Sequence, residues 1–326
     1  MEIIKITADE IAKTHDLQVF FEKLRKRNKK ILINYYNFLS EKATNLINPN
    51  WLDENDLRNL LNLTDFEIIG SIKGFGVSSI TARPKVYQRK EYSVSIIVPA
   101  RNEEGNIKKI VSSIPKFGKW QEIIFIEGGS KDNTWEEIVK STSQKTRATL
   151  KLRRARQKGK GKANAVRLGF SKAKGEVLMI YDADCTVPSS DLPKFYNAIA
   201  SGKGEFINGS RLVYPMEKDA MQFLNKIGNK VFSILFSYIL GQRFKDTLCG
   251  TKVFLKKDYL NFKKFREDPF GDFELIFGAI QNNLKVIEIP VRYKERVYGK
   301  TNIQRFWHGL LLAKMVWKAF KIFRFK

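Results

Sequence analysis

Two acidic residues, Asp182 and Asp184, stand one residue apart directly after the apolar segment 177–181. The apolar segment predicts a buried strand, and residues i and i+2 of an extended chain share one face. We therefore expect both carboxylates to point the same way where the strand ends. Such oxygen ligands suit Mg²⁺ or Mn²⁺, which can also hold a diphosphate. The alternative is a solvated turn after a core strand, so the metal interpretation depends on the surrounding segments.

Several polar loops precede and follow these acids, and each adjoins a predicted strand or helix. Strands are predicted at 94–99 and 122–126, and each is followed by a polar loop and an apolar-periodic helix. Repeated strand-loop-helix units indicate a parallel sheet whose ligand sites lie at the carboxyl ends of its strands. The glycine- and lysine-rich loop 159–162 could approach and neutralise a phosphate, or could simply be a solvated basic loop. Segment 206–211 predicts a further strand that ends in a cation.

The bulk composition describes a folded, strongly basic chain. Its 326 residues, of which 43% are hydrophobic, are enough for one large α/β domain with an appendage. The formal charge of +25 favours a polyanionic partner: nucleotide phosphates, an anionic membrane face or nucleic acid. The two cysteines are too few for a disulfide framework or a zinc cluster, which fits a reducing cytosolic setting.

The chain shows no secretory signal pattern and no apolar run of the roughly 18–20 residues that a membrane span needs. Segment 231–240 is too short to span a bilayer and too apolar all round for an exposed helix. Segment 306–325 interleaves aromatic and basic residues without an acid, which predicts a helix at an anionic headgroup surface. A terminal helix packed on the domain would also be aromatic, so that alternative stays open.

The order of the polar segments is more specific than any one of them. Taken together they resemble family-2 glycosyltransferases, most closely dolichol-phosphate mannose synthases and bacterial polyprenyl-phosphate sugar transferases, from about Ser93 to Asn302. The segments that carry the resemblance are Ile97-Val98-Pro99-Ala100-Arg101-Asn102-Glu103, Gly128-Gly129-Ser130-Lys131-Asp132-Asn133-Thr134, Gly161-Lys162-Ala163-Asn164-Ala165, Asp182-Ala183-Asp184, Gly209-Ser210-Arg211 and Arg296-Val297-Tyr298-Gly299-Lys300-Thr301-Asn302. The resemblance implies an α/β fold of GT-A type, with a Rossmann-like, mostly parallel sheet flanked by helices.

Three segments are expected on this basis. Residues 91–302 would form the glycosyltransferase domain, and residues 303–326 a basic amphipathic helix on the membrane surface. Residues 1–90 would form a small α+β appendage. Its segments Ile33-Asn34-Tyr35-Tyr36-Asn37, Asn50-Trp51-Leu52 and Phe66-Glu67-Ile68-Ile69 resemble the C-terminal end of a class I methyltransferase. That segment has no glycine-rich loop for S-adenosylmethionine, so we expect no methyl transfer. We interpret it as a truncated remnant that packs, or helps to dock a partner.

The resemblance also assigns roles to individual residues. The acids Asp182 and Asp184 would bind Mg²⁺ or Mn²⁺. The residues expected to contact the nucleotide sugar or the acceptor are Pro99, Ala100, Arg101 and Glu103 in the nucleoside pocket, Asp132 at the base or its neighbouring loop, Lys160 or Lys162 and Arg211 at the phosphates, and Arg296 with Lys300 at the acceptor. The chain departs from the family at Glu127-Gly128, where Asp-Asp is common, and at Thr186, where Gln is common. The first departure concerns which nucleotide base is preferred. The second concerns whether the protein supplies a third metal ligand.

The function implied is metal-dependent transfer of a hexose from UDP- or GDP-hexose to a polyprenyl phosphate, by a peripheral protein on the cytoplasmic membrane face. A lipid phosphate is already an anionic nucleophile, so it needs positioning by cations more than it needs a general base. A soluble or protein-bound hydroxyl acceptor would need a base, for which Asp272 and Glu274 are the obvious candidates. A third hypothesis is a non-catalytic nucleic-acid-binding protein. No nucleic acid is expected, because the sequence has no RNA-stacking signature and no helix-turn-helix pattern.

Overall fold

The structure, a computed structural model, describes residues 3–14, 16–36, 54–143, 150–211, 223–263, 268, 271–296, 298 and 305–324. The chain forms two compact units. The first comprises the described residues up to Arg89, and the second comprises those from Lys90 onward.

The first unit is a four-stranded sheet with three helices. Its sheet order is β1-β2-β4-β3, in which β1 and β2 are parallel and β4 is antiparallel to both of its neighbours. The elements are β1 (Ile3–Ile6), α1 (Ala8–Lys13), α2 (Leu17–Lys26), β2 (Lys30–Tyr36), α3 (Glu54–Leu63), β3 (Phe66–Ile72) and β4 (Val77–Pro84). Buried Phe21, Ile33 and Leu60 belong to the hydrophobic core of this unit.

The second unit is built on a seven-stranded sheet. Its order is β11-β9-β10-β8-β5-β6-β7, and every pairing is parallel except the two made by β10. The strands are β5 (Val94–Ala100), β6 (Gln121–Glu127), β7 (Leu150–Arg156), β8 (Val177–Ile180), β9 (Phe206–Ser210), β10 (Lys252–Leu255) and β11 (Val286–Pro290). The predicted α/β class with a mostly parallel sheet is therefore confirmed.

Helices cover this sheet, because its central strands have two apolar faces. Strands β6 and β8 are buried along their whole length, as expected of strands covered on both sides. The helices are α4 (Glu104–Ser113), α5 (Thr134–Ser143), α6 (Lys162–Lys172), α7 (Leu192–Ala200), α8 (Phe223–Leu240), α9 (Lys256–Tyr259), α10 (Asp272–Gln281) and α11 (Arg305–Phe323), with a 3-10 turn at Ser189–Asp191.

The direction of the strands decides which loops meet. The parallel strands place their carboxyl ends at one edge of the sheet, and the antiparallel β10 places its beginning there. Loops after β5, β6, β7, β8, β9 and β11, and the loop before β10, therefore share this edge. Every predicted catalytic or phosphate-binding residue that the structure describes lies on one of these loops or at the helix that follows it.

Helix α8 corrects one expectation from the sequence. Segment 231–240 was expected to be too apolar for an exposed helix, yet Ile234 is 60% exposed and Tyr238 is 73% exposed. The helix instead has two apolar faces, and Phe236, Ile239 and Leu240 on the other face are buried in the core. Within the described residues, no helix combines the length and the hydropathy needed to cross a bilayer.

The aromatic centre of the sheet offers a test of the fold. Phe254 of β10 is fully buried, stacks on its strand partner Phe206 at a centroid distance of 5.4 Å, and meets Phe170 edge to face. We expect Phe254→Ala to lower the free energy of unfolding by about 3–5 kcal/mol, since it leaves a cavity among aromatic rings. Urea unfolding measures the change.

The matched control is Leu260→Ala, which truncates an apolar side chain that is 74% exposed in the same unit. Its free energy of unfolding should stay within about 0.5 kcal/mol of the parent protein. Equal losses in the two variants would contradict the assignment of Phe254 to the core.

Candidate active site

The two acids of the sequence motif lie in a turn and not on the strand. Strand β8 ends at Ile180, and the Cys185 backbone N–H donates to the Asp182 carbonyl at 3.3 Å. Cys185, the last residue of this turn, has a positive φ of 56°. The expectation that strand alternation aligns the two carboxylates was therefore wrong. The turn presents them to two different cations.

Asp182 is paired with Lys162, the first residue of α6. The Lys162 Nζ lies 2.7 Å from Asp182 Oδ1 and 3.0 Å from Oδ2, so the ammonium bridges both carboxylate oxygens. Burial opposes ionisation of Asp182, but Lys162, Lys252 and Arg211 outweigh it and hold its pKa below the usual range. Gly250 closes over this pair: a Cβ there would lie 1.9 Å from Asp182 Oδ2.

Asp184 shares a guanidinium with Glu103. One nitrogen of Arg296, Nη2, lies 2.9 Å from Asp184 Oδ2, and Nη1 lies 2.9 Å from Glu103 Oε1. Asn106 donates to the other oxygen of Glu103 at 2.8 Å. Burial is the main influence on Glu103 and raises its pKa to about 7, against the lowering effects of Arg296 and Asn106. Arg296 therefore joins the loop after β11 to both the β5 loop and the acidic turn.

Arg211 follows β9 and is held rigidly by a buried acid. Its Nε and Nη2 donate to the two oxygens of Asp246 at 2.6 and 2.8 Å, a bidentate pairing that fixes the guanidinium plane. Asp246 is fully buried, and its own backbone N–H donates to Glu288 Oε1 at 3.1 Å. Tyr293 lies under the guanidinium at 5.2 Å from its ring centroid. A cation so constrained suits the positioning of an anionic group.

The two candidate general bases are engaged in buried ion pairs. Asp272 accepts from the fully buried Lys252 Nζ at 2.7 Å, and Glu274 pairs with Arg167 at 2.5 Å. Both acids begin α10 and are themselves buried. Each carboxylate is therefore already engaged by a cation of the chain itself.

The predicted nucleoside residues lie at the end of β5 and around it. Ala100 is buried, Pro99 is half-buried and Arg101 is exposed. Asp132 works within the loops: it accepts from the backbone N–H groups of Thr134 at 3.1 Å and of Glu104 at 3.4 Å. Asp132 was expected to contact either the nucleotide base or the neighbouring loop. It makes the loop contact, and a contact with the base remains a prediction.

The two lysines proposed for phosphate differ in their surroundings. Lys162 is bound to Asp182, whereas Lys160 is exposed and forms no ion pair among the described residues. Lys300, proposed for the acceptor, falls outside the described residues. The site therefore gathers Glu103, Lys162, Asp182, Asp184, Arg211 and Arg296 at one edge of the sheet and leaves Lys160 and Arg101 at its surface.

The donor set fits a divalent cation that is shared with a substrate. Among the described residues, no group of three or more His, Cys, Asp or Glu side chains is arranged to hold a metal ion. Mg²⁺ commonly uses one or two carboxylates and completes its shell with phosphate oxygens and water. Asp182 and Asp184 supply that number of hard oxygen ligands. Asp182 keeps about a third of its side chain exposed, so a phosphate can approach it.

Sequence reasoning missed two residues before β10 and the residue that begins it. Asp246, Gly250 and Lys252 all contact predicted site residues or their partners. Strand β10 has four residues and runs antiparallel to its neighbours, so the polar residues that matter lie before it or at its start. A usable signal was the segment Asp246-Thr247-Leu248-Cys249-Gly250, a polar and glycine-containing stretch that leads into an apolar run.

Comparison with known proteins places these features in a family. Residues 95–260 match the model of the family described as glycosyl transferase family 2. A dolichyl-phosphate hexose transferase of Haloferax volcanii is 25% identical over 69% of this chain and 93% of its own length. A dolichol-phosphate mannosyltransferase of Pyrococcus furiosus is 29% identical over 65% of this chain and 59% of its own length.

A solved structure shows the same fold. Glucosyl-3-phosphoglycerate synthase of Mycobacterium tuberculosis, crystallised with Mn²⁺, UDP-glucose and phosphoglyceric acid, superposes with a TM-score of 0.52 at 15% identity. The likeness covers 71% of this chain and 79% of that protein. At this level of identity the comparison supports the fold, which is of GT-A type.

Gly250 allows a direct test of the acidic site. We expect Gly250→Ala to weaken Mn²⁺-dependent binding of a nucleoside diphosphate at least about tenfold. The added methyl group would displace the Asp182 carboxylate and the Lys162 ammonium, whose Nζ lies 2.5 Å from the Cβ position. Isothermal titration calorimetry measures the affinity. Gly70→Ala is the control because its Cβ meets nothing within 4 Å; the same affinity in both variants would contradict the placement of Gly250.

Proposed function

The chain belongs to glycosyl transferase family 2, and from this premise we propose that it transfers a hexose from a nucleoside-diphosphate sugar to a polyprenyl phosphate. The observation that carries the proposal is the gathering of Asp182, Asp184, Arg211 and Arg296 at one edge of the sheet. Membership of an enzyme family favours this function over the nucleic-acid-binding alternative.

The donor would bind along the β5 loop and across the acidic turn. Pro99, Ala100, Arg101 and Glu103 line the proposed nucleoside pocket, and Asp132 orders the neighbouring loop. The diphosphate would reach Lys162, which pairs with Asp182, and Arg211, which lies close enough to lower the pKa of Asp182. A bound Mg²⁺ or Mn²⁺ would supply charge stabilisation to the departing nucleoside diphosphate.

The acceptor is proposed to be a phosphate because its chemistry needs no base. An acceptor phosphate oxygen attacks the anomeric carbon, and the bond from that carbon to the diphosphate oxygen breaks with its electron pair on the leaving group. No proton has to be removed from the nucleophile, which is consistent with the ion-paired state of Asp272 and Glu274. Arg296 orients the anionic acceptor beside the donor. Both relatives described above carry names that specify dolichyl or dolichol phosphate.

The protein is proposed to work as a peripheral protein on the cytoplasmic face of the membrane, with an anionic bilayer as its partner. Val231, Ile234, Leu235 and Tyr238 repeat at helical spacing on the exposed face of α8. Helix α11 packs against α8 and exposes Trp317 beside a run of basic residues. That run consists of Lys314, Lys318, Lys321 and Arg324. Arg324 stacks on Tyr238 at 5.1 Å and so joins the two helices.

This two-helix surface suits lipid better than solvent. Apart from Leu260, every exposed large hydrophobic side chain described in the second unit lies on α8 or α11. Apolar side chains can enter the headgroup layer while each nearby cation contributes about 1 kcal/mol of attraction to anionic lipid. We accordingly propose that residues 303–326 act as a membrane-surface segment, residues 91–302 as the transferase domain, and residues 1–90 as an appendage.

The activity is tested by incubating the purified protein with labelled UDP- or GDP-hexoses, Mn²⁺ and polyprenyl phosphate. We expect label in the organic extract, loss of that product with a chelator, and a fall in kcat/KM of about 10²–10³ for Arg296→Met, because a cation that positions the reacting anions is removed. The control is Lys257→Met, which removes an exposed cation on α9. Transfer to a water-soluble hydroxyl compound, with no lipid product, would overturn the proposed acceptor.

The membrane surface is tested with Ile234→Glu on α8. Cosedimentation with vesicles that contain anionic lipid should show at least about tenfold weaker binding, since an apolar contact is replaced by a like charge. The control is Leu260→Glu, which makes the same kind of change at an exposed site on neither helix. Equal binding of the two variants would exclude this face as the contact with lipid.

A further inference from the structure

The carboxylate that is proposed to bind metal is already neutralised by a residue of the chain itself. The Lys162 ammonium sits against both oxygens of Asp182, at 2.7 and 3.0 Å. No other described cation is paired this closely with Asp182. A divalent ion bound to the same carboxylate would be repelled by the ammonium at such short range.

A metal ion can reach both oxygens of Asp182 only when the ammonium withdraws from them, because Lys162 Nζ lies within 3.0 Å of each. Lys162 therefore has to move, and its four-carbon side chain permits that movement.

We propose that Lys162 neutralises Asp182 until a nucleoside diphosphate binds together with its metal ion. In the nucleotide-free protein it pairs with Asp182; when a metal-bound nucleoside diphosphate enters, Lys162 swings from Asp182 to a phosphate oxygen. This role rests on the proposed function and deepens it by giving one residue two successive partners. Its consequence is that metal alone binds weakly, and metal and nucleotide bind cooperatively.

The other two cations that act on Asp182 can stay in place during this exchange. Arg211 is clamped by Asp246 through two hydrogen bonds, and Lys252 is fully buried against Asp272 and the Cys249 carbonyl. Lys162 is different because about 30% of its side chain is exposed. It also starts α6 directly after Gly161, whose φ of 86° turns the backbone into the site. Among the cations around Asp182, the geometry therefore singles out Lys162 as the one that can change partners.

The experiment compares Lys162→Met with Lys158→Met. The control removes the same charge from an exposed side chain four residues away, which has no ion pair among the described residues. Binding of Mn²⁺ alone is measured by electron paramagnetic resonance, and binding of UDP and GDP at saturating Mn²⁺ by calorimetry. We expect Lys162→Met to bind Mn²⁺ alone at least about tenfold more tightly and nucleotide at least about tenfold more weakly. Lys158→Met should stay within about twofold of the parent protein on both measures.

Two results would overturn the proposal. Unchanged or weaker binding of Mn²⁺ alone by Lys162→Met would show that Lys162 does not compete for Asp182. Equal changes in the two variants would show that the effect comes from the loss of one positive charge and not from the position of Lys162. Failure of the parent protein to bind either nucleotide at saturating Mn²⁺ would instead count against the proposed function, which keeps the two failures distinguishable. A thermal unfolding midpoint close to that of the parent protein verifies that each variant is folded.

Discussion

The structure depends on matching each acid at the active edge of the sheet with a cation. Asp182 is held by Lys162, Asp184 and Glu103 by Arg296, Asp246 by Arg211 and Asp272 by Lys252. Several of these acids are buried, and an unpaired charge there would cost several kcal/mol. The pairing is therefore a condition for folding this edge as well as a source of its chemistry. A site so balanced can accept an anionic substrate and a divalent cation together, because they bring opposite charges.

The sheet brings these partners together from distant parts of the chain. Parallel strands deliver Lys162, Asp182, Arg211 and Arg296 to one edge in separate loops, and the reversed strand β10 adds Asp246 from the other direction. The same architecture leaves α8 and α11 packed together with apolar and basic side chains exposed. A polar edge and an apolar, basic two-helix surface thus occur in one unit, a combination that the proposed transfer to a lipid phosphate requires.

The strands and helices around the predicted loops could be found from the sequence, because their apolar patterns are long and regular. Strands β5 and β6 and helix α4 follow that pattern closely. Prediction from the sequence failed where the structure depends on contacts between residues that are distant in the chain. The chain turns at Asp182 and places Cys185 in a positive-φ conformation, and α8 packs against α11 but keeps an apolar face exposed. Ion pairs such as Arg211 with Asp246 join residues 35 positions apart, and no local pattern predicts them.

The central claim is that a nucleoside diphosphate and a divalent ion meet at Asp182 and Asp184. Electron-nuclear double resonance of Mn²⁺, recorded with the protein and UDP or GDP, tests this most directly. We predict a phosphorus hyperfine coupling from nucleotide phosphate bound to protein-held Mn²⁺, and its loss in the double variant Asp182→Asn with Asp184→Asn. A protein-bound Mn²⁺–nucleotide signal that persists in the double variant, or no such signal in the parent protein, would contradict the account.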